Sequence, residues 1–294
     1  MRLSTAIAAA LLLLSCAAEP AAALNVVAKS PYAGAIVVDA ATGKVLFEDN
    51  ADAAAYPASI TKLMVLLITL EAVEAGRLAL DEPVTVTARA SRIGGSQVYL
   101  KHNEVFPVDE LLYALVVQSA NDAATALATH YAGAPEAFVD IMNRRAQELG
   151  MRDTVFRSVH GLPPGRGQLP DVSTLCRKLL MKPAVLKYTS TKRRPFRAEA
   201  EKPFMMVNHN RLLGKIEGCD GLKTGYFRAA GFSIAATAVK NGRRAVAIVL
   251  GAASGRVRDA EAKRMLVRGL QTLAMSDPRS AQRPAPGGTS SSSE

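Results

Sequence analysis

The chain has 294 residues and a formal net charge of +10. A chain of that length holds one large domain or two small ones and buries its own core, so it needs no disulfide framework, and its three cysteines would not supply one. His102, His130, His160 and His209 are scattered, with no HExxH or paired-cysteine spacing, so neither a metal nor a cofactor is expected.

The first residues read as an export signal. Arg2 is a short positive start, residues 7–14 are an apolar stretch too short to span a bilayer, and Ala21, Ala22 and Ala23 form a small-residue cleavage site. The expectation is a signal peptide over 1–23 and an exported chain of the periplasm or cell envelope. A second reading is a lipoprotein signal over 1–15, because Leu13-Leu14-Ser15-Cys16 resembles a lipidation box and would make Cys16 the anchored end. Losing 1–23 removes Arg2 and Glu19, which cancel, so the charge stays at +10. An exported protein is not expected to meet nucleic acid. Anionic envelope polymers and lipid headgroups are the partners its charge favours, which leaves peripheral envelope association open. Cys176 and Cys219 would remain, and whether they pair is also left open.

Apolar β-rich runs at 35–38 and 44–47 flank the turn-rich segment 39–43, which predicts a hairpin. Pro57 favours a helix start, and residues 63–68 continue as an apolar helical run. Residues 108–118 read as one apolar helix. Residues 122–130 read as the next, with Asn121 or Asp122 as its N-cap and Gly133 past its end. Residues 135–149 carry Phe138, Ile141, Met142 and Leu149 at helical spacing, with Gly150 beyond. The basic run Lys192-Arg193-Arg194 with Arg197 reads as a solvated loop. A short glycine-bounded strand follows at 221–227. Strands at 232–239 and 243–250 flank Asn241-Gly242, the strongest hairpin turn signal in the chain. Residues 256–273 read as a final helix, and the Pro-, Gly- and Ser-rich stretch 276–294 as a disordered polar tail. Strands at both ends and helices between them predict an α/β (α+β) fold. It is an antiparallel sheet of N- and C-terminal strands flanked by helices, with an inserted all-helical subdomain.

Three short motifs carry chemistry. Ser59-Ile60-Thr61-Lys62 puts a hydroxyl and an amine on one helical face, where the Lys62 amine can take the Ser59 proton. Ser119-Ala120-Asn121, on a loop between two helices, offers a hydroxyl and an amide. Lys223-Thr224-Gly225, on the short strand, offers a cation, a hydroxyl and a residue whose missing side chain lets a ligand approach the strand edge. Each alone is common: a capping serine, a capping loop, a solvated lysine.

In this order the three motifs resemble the signature of penicillin-binding proteins and serine β-lactamases. The flanks narrow the resemblance. Tyr56-Pro57-Ala58 and Leu63-Met64 around the first motif, Asp122-Ala123-Ala124 after the second and Asp220-Gly221-Leu222 before the third are similar to the low-molecular-weight D-alanyl-D-alanine carboxypeptidases. The resemblance implies a β-lactamase/transpeptidase-like fold and a serine DD-peptidase domain over 24–275. It implies that Ser59 is the acylated nucleophile, Lys62 its base and Ser119 the proton relay. Asn121 would hold the substrate amide, Thr224 and Lys223 the terminal carboxylate, and Gly225 the strand edge, with the Ser59 and Tyr226 N–H groups as oxyanion donors. The implied substrates are peptidoglycan stem peptides, losing a terminal D-alanine through an acyl-enzyme, and β-lactam antibiotics would be inhibitors. A DD-endopeptidase uses the same residues. A non-catalytic penicillin-binding module keeps the fold, and a class A β-lactamase would carry a Glu-x-x-Leu-Asn motif that is absent after Ser59.

Two departures stand out. Ala253 falls where some relatives place a carboxylate-binding arginine, with Arg256 or Arg258 as substitutes. Ser158-Val159 falls where the family carries Asn-Pro.

Overall fold

The computed structural model describes residues 26–275; the expected signal segment 1–23, Cys16 within it and the expected polar tail 276–294 lie outside the described residues. The elements run β1 (Gly34–Asp39), β2 (Val45–Asp49), α1 (Lys62–Glu74), β3 (Pro83–Thr85), α2 (Ala88–Ser91), β4 (Val105–Pro107), α3 (Val108–Tyr113), α4 (Asn121–Ala132) and α5 (Pro135–Glu148). They continue α6 (Leu169–Leu180), α7 (Val185–Thr189), β5 (Arg193–Phe196), β6 (Phe204–Val207), β7 (Cys219–Phe227), β8 (Gly231–Lys240), β9 (Arg243–Ala252) and α8 (Gly255–Met275). The main sheet has the order β2-β1-β9-β8-β7 and is antiparallel throughout. It joins the two ends of the chain, as the sequence predicts, and leaves β7 as a free edge. The Asn241-Gly242 turn between β8 and β9 has φ of 50° and 74°, the left-handed pair that a tight hairpin needs.

Both faces of the sheet are covered, and the strand period of two sorts the side chains between them. On β1 and β9, Ile36, Val38, Val246, Ile248 and Leu250 face the inserted helices, while Ala35, Val37, Ala245, Ala247 and Val249 face α8. The alanines let α8 lie close, and its Gly269 completes the fit: an added Cβ there would sit 2.7 Å from Val37 Cγ1. On the other side α1 is the central element. Its residues Leu63 through Ile68 are at most 4% exposed, so the helix is apolar all round because it is enclosed all round. Burial of such side chains stabilises the fold by roughly 1.5–3 kcal/mol each, which holds the motif at the α1 N-terminus on the stiffest part of the core.

The insert differs from the expectation in three places. It is not all helical, because β3 pairs with β4 and β5 with β6 in two small ladders. The basic run is solvated only in part: Lys192 and Arg193 are exposed, but Arg193 and Arg194 stand on strand β5, with Arg197 just past its end. Arg194 pairs with Glu110, and Arg197 pairs with Glu104 and donates to the Val98 and Tyr99 carbonyls. Third, the helix over 108–118 changes form: α3 gives way to a wide π turn over Ala114–Gln118 that ends at Ser119. Inserted turns of that kind recur at functional sites. Cys176 is buried in α6 and Cys219 half-buried on β7, and both are free thiols. No helix among the described residues is long and apolar enough to cross a membrane.

Candidate active site

Ser59 sits in a single tight turn, Ala58–Thr61, that leads directly into α1. The turn places Lys62 Nζ 2.9 Å from Ser59 Oγ, and the same amine donates to the His160 carbonyl at 3.2 Å. Lys62 is 1% exposed. Burial, and then the neighbouring charge of Lys223, holds its amine well below the usual lysine range, against an opposing pull from Asp122. A neutral amine in contact with a serine hydroxyl is a base in position.

Ser119 and Asn121 close the second side. Ser119 has φ of 61° and Ala58, beside the nucleophile, has φ of 50°. Both are left-handed, non-glycine residues, the kind of strain that a surrounding fold sustains at functional sites. Asn121 Nδ2 donates to the Gly94 carbonyl at 2.7 Å, which fixes the amide at the head of α4. The N-cap of α4 is Ala120 rather than Asn121 or Asp122. The Asp122 carboxylate is instead buried and accepts from the backbone N–H groups of Val98, Leu100 and Ala123. It ties down the loop that brings Ser96 to the site, a role the sequence did not reveal.

The third side is β7. Asp220 and Arg244 make a two-pronged ion pair at 2.7 and 2.8 Å that braces β7 from across β8, with Arg244 also donating to Thr237 Oγ1. Lys223 is 2% exposed and donates to the Thr224 carbonyl at 3.1 Å. Burial, and then the charge of Arg258, lowers it to about 7. Gly225 does more than admit a ligand. A Cβ there would lie 2.6 Å from the Pro57 carbonyl oxygen and 3.1 Å from Ser59 N, so its missing side chain is what lets the serine turn dock on the strand. Gly225→Ala is therefore expected to push Ser59 away from β7 and slow penicillin acylation by roughly tenfold or more, in line with the cost of a misplaced reacting group. Stopped-flow acylation of a folded variant is the check.

Ser59, Ser96, Ser119, Thr224, Gly225 and Tyr226 line a cleft of about 410 Å³. Tyr226 is 55% exposed and stacks on Phe232 with ring centroids 4.2 Å apart. A smaller cavity of about 100 Å³ continues past Ser59 to Asn121, His160 and Leu162. Of the two candidate arginines, Arg258 lines the large cleft from the first turn of α8, and Arg256 is not among its lining residues. Its Nε and Nη2 are held by Asp259 Oδ1 at 2.8 and 2.6 Å. The Ser158-Val159 departure has a local reason. Ser158 Oγ donates to the Pro163 carbonyl and accepts from Gly161 N, closing the loop that presents the His160 carbonyl to Lys62. The eight motif residues Ser59, Lys62, Ser119, Asn121, Lys223, Thr224, Gly225 and Tyr226 are brought together at this site. Ser96, and Arg211 on the β6–β7 connection, were not reached by local pattern, and His160 and His209 were read only as scattered histidines, because distant segments bring all four in.

The sequence profile of the peptidase S11 family, described as D-alanyl-D-alanine carboxypeptidase, matches residues 18–254. The chain is similar to the D-alanyl-D-alanine carboxypeptidase DacF of Bacillus subtilis, 36% identical over 79% of this chain and 60% of that protein. It is similar to DacC of Escherichia coli at 35% identity over 80% of this chain, and again spans 60% of that relative. Among solved structures, penicillin-binding protein D2 of Listeria monocytogenes in an ampicillin-bound form superposes with a TM-score of 0.74 at 32% identity, covering 81% of this chain and 97% of that one. Penicillin-binding protein 6B of Escherichia coli gives 0.75 at 34% identity over 82% of this chain and 77% of that one.

Proposed function

This chain belongs to the D-alanyl-D-alanine carboxypeptidase family, peptidase S11, and from that membership we propose that it is a serine DD-carboxypeptidase of the cell envelope. It removes the terminal D-alanine from peptidoglycan stem peptides, and β-lactams acylate the same serine. The observation that carries this reading is the buried Lys62 amine, 2.9 Å from Ser59 Oγ and held well below the usual lysine range by burial and by Lys223.

The steps follow from the geometry. Lys62 takes the Ser59 proton as Oγ attacks the penultimate carbonyl, and the Ser59 and Tyr226 N–H groups receive the developing oxyanion. Ser119 hands its hydroxyl proton to the departing D-alanine nitrogen as the peptide bond breaks and takes in exchange the proton that Lys62 carries, which leaves Lys62 neutral again. Asn121 holds the substrate amide beside β7. Thr224, Lys223 and Arg258 supply a hydroxyl and two cations for the terminal carboxylate. Water then attacks the acyl-enzyme, with Lys62 again taking the proton, and Ser59 is released.

The test is intact-protein mass spectrometry after exposure to benzylpenicillin, followed by digestion. An adduct of one penicillin on the peptide that contains Ser59, together with D-alanine release from a pentapeptide, is the expected result. Absence of any adduct in folded protein overturns the reading. A second reading, cleavage of cross-linked peptides, draws on the roomy cleft and on a 30% identical relative named as a D-alanyl-D-alanine endopeptidase of Escherichia coli, of which the chain covers 74%.

A further inference from the structure

The whole cleft that Ser59 lines has a volume of about 410 Å³, more than an alanine methyl requires. One stretch of its wall is the segment Val207, Asn208, His209 and Arg211, whose Arg211 is exposed. That wall is pinned at several points. Asn208 Nδ2 donates to the Thr189 and Thr191 carbonyls, Asn208 Oδ1 accepts from Asn210 N at 2.9 Å, and Asn210 Oδ1 accepts from Leu212 N at 3.0 Å. Asn210 and Leu212 are buried on either side of Arg211, at 2% and 3% exposure. The guanidinium between them thus springs from a fixed backbone, yet among the described residues the Arg211 side chain has no hydrogen-bond or ion-pair partner. Arg258, by contrast, is already engaged by Asp259 and sits with Lys223 and Thr224, where the terminal carboxylate goes.

We infer that Arg211 forms a second anion subsite on the leaving-group side of the cleft, which takes a carboxylate carried by the departing residue in addition to its terminal one. The leaving-group side then admits, beyond D-alanine, a D-residue with an acidic side chain and prefers it to the uncharged residue of the same size. This rests on the carboxypeptidase reading for the direction in which the substrate lies. A guanidinium–carboxylate contact at a half-open wall strengthens binding by about tenfold, and because it persists from substrate to transition state it acts on KM rather than kcat.

The probes are two N-acylated tripeptides ending in D-Ala–D-Glu and D-Ala–D-Gln, which differ only in a carboxylate against an amide. Wild-type protein is expected to favour the D-Glu peptide in kcat/KM by about tenfold, through KM. Arg211→Gln is expected to bring that ratio near one, and Arg211→Lys to keep most of it. The same comparison by calorimetry in a Ser59→Ala background reads the subsite without turnover. A D-Glu to D-Gln ratio that Arg211→Gln does not change, in either measurement, overturns the inference, since an arginine that served the terminal carboxylate would affect both peptides alike. If wild-type protein releases no terminal residue from any peptide, the carboxypeptidase reading falls, while the calorimetric ratio still decides the subsite.

Discussion

Replacing Lys62 by methionine is expected to slow acylation of Ser59 by benzylpenicillin by about 10²- to 10⁴-fold, the range for loss of a positioned general base. Methionine keeps the apolar stem in the α1 core and removes only the amine, so folding is expected to survive. The cost is one orphaned acceptor, the His160 carbonyl, worth about 1–3 kcal/mol. Lys62→Arg should not restore the rate, because a guanidinium stays charged at every working pH and cannot take a proton. The pH dependence follows from the same cause. Burial and Lys223 lower the Lys62 amine, so its neutral form becomes available well below the pH at which a free lysine would lose its proton. The wild-type acylation rate therefore rises with pH through the lowered value and has levelled before the ordinary lysine range. Stopped-flow measurements across pH test both statements. A methionine variant within tenfold of wild type would mean that another group is the base.

Lys62 and Ser59 were legible because their relation is local: three residues apart, at the start of an apolar helix, they had to share a face. The same holds for the β8–β9 hairpin, whose turn residues state their own conformation. Residues whose roles depend on distant segments were not legible. Arg194 and Arg197 looked solvated because their acidic partners, Glu110 and Glu104, lie more than 80 positions earlier in the chain. Asp122 looked like a helix cap, yet its carboxylate serves a loop 22 and 24 positions before it. Gly225 carries both kinds of information. Its motif could be read, but the reason for the missing side chain is a collision with Pro57 and Ser59 that only folding creates.

Arg258→Gln is expected to separate two effects of one cation. First, in the proposed mechanism the variant loses a charged donor for the terminal carboxylate. KM for a peptide with a free C-terminus should rise by about 10- to 100-fold, while a C-terminal amide, which never used that charge, should be little affected. Second, the charge of Arg258 contributes to holding Lys223 down to about 7, after burial itself. In the proposed mechanism Lys223 acts as a cation, so wild-type kcat should fall as pH rises through that value. Removing a like charge favours the protonated amine, and freeing Asp259 beside it acts in the same direction. The alkaline limb of the kcat profile should therefore move to higher pH in the variant even as KM worsens, so that at pH 9 the variant retains a larger share of its own maximal kcat than wild type does. A limb that stays where it was would show that Lys223 does not sense Arg258. A KM unchanged for the free C-terminus would show that the carboxylate is held elsewhere, on Thr224 and Lys223 alone.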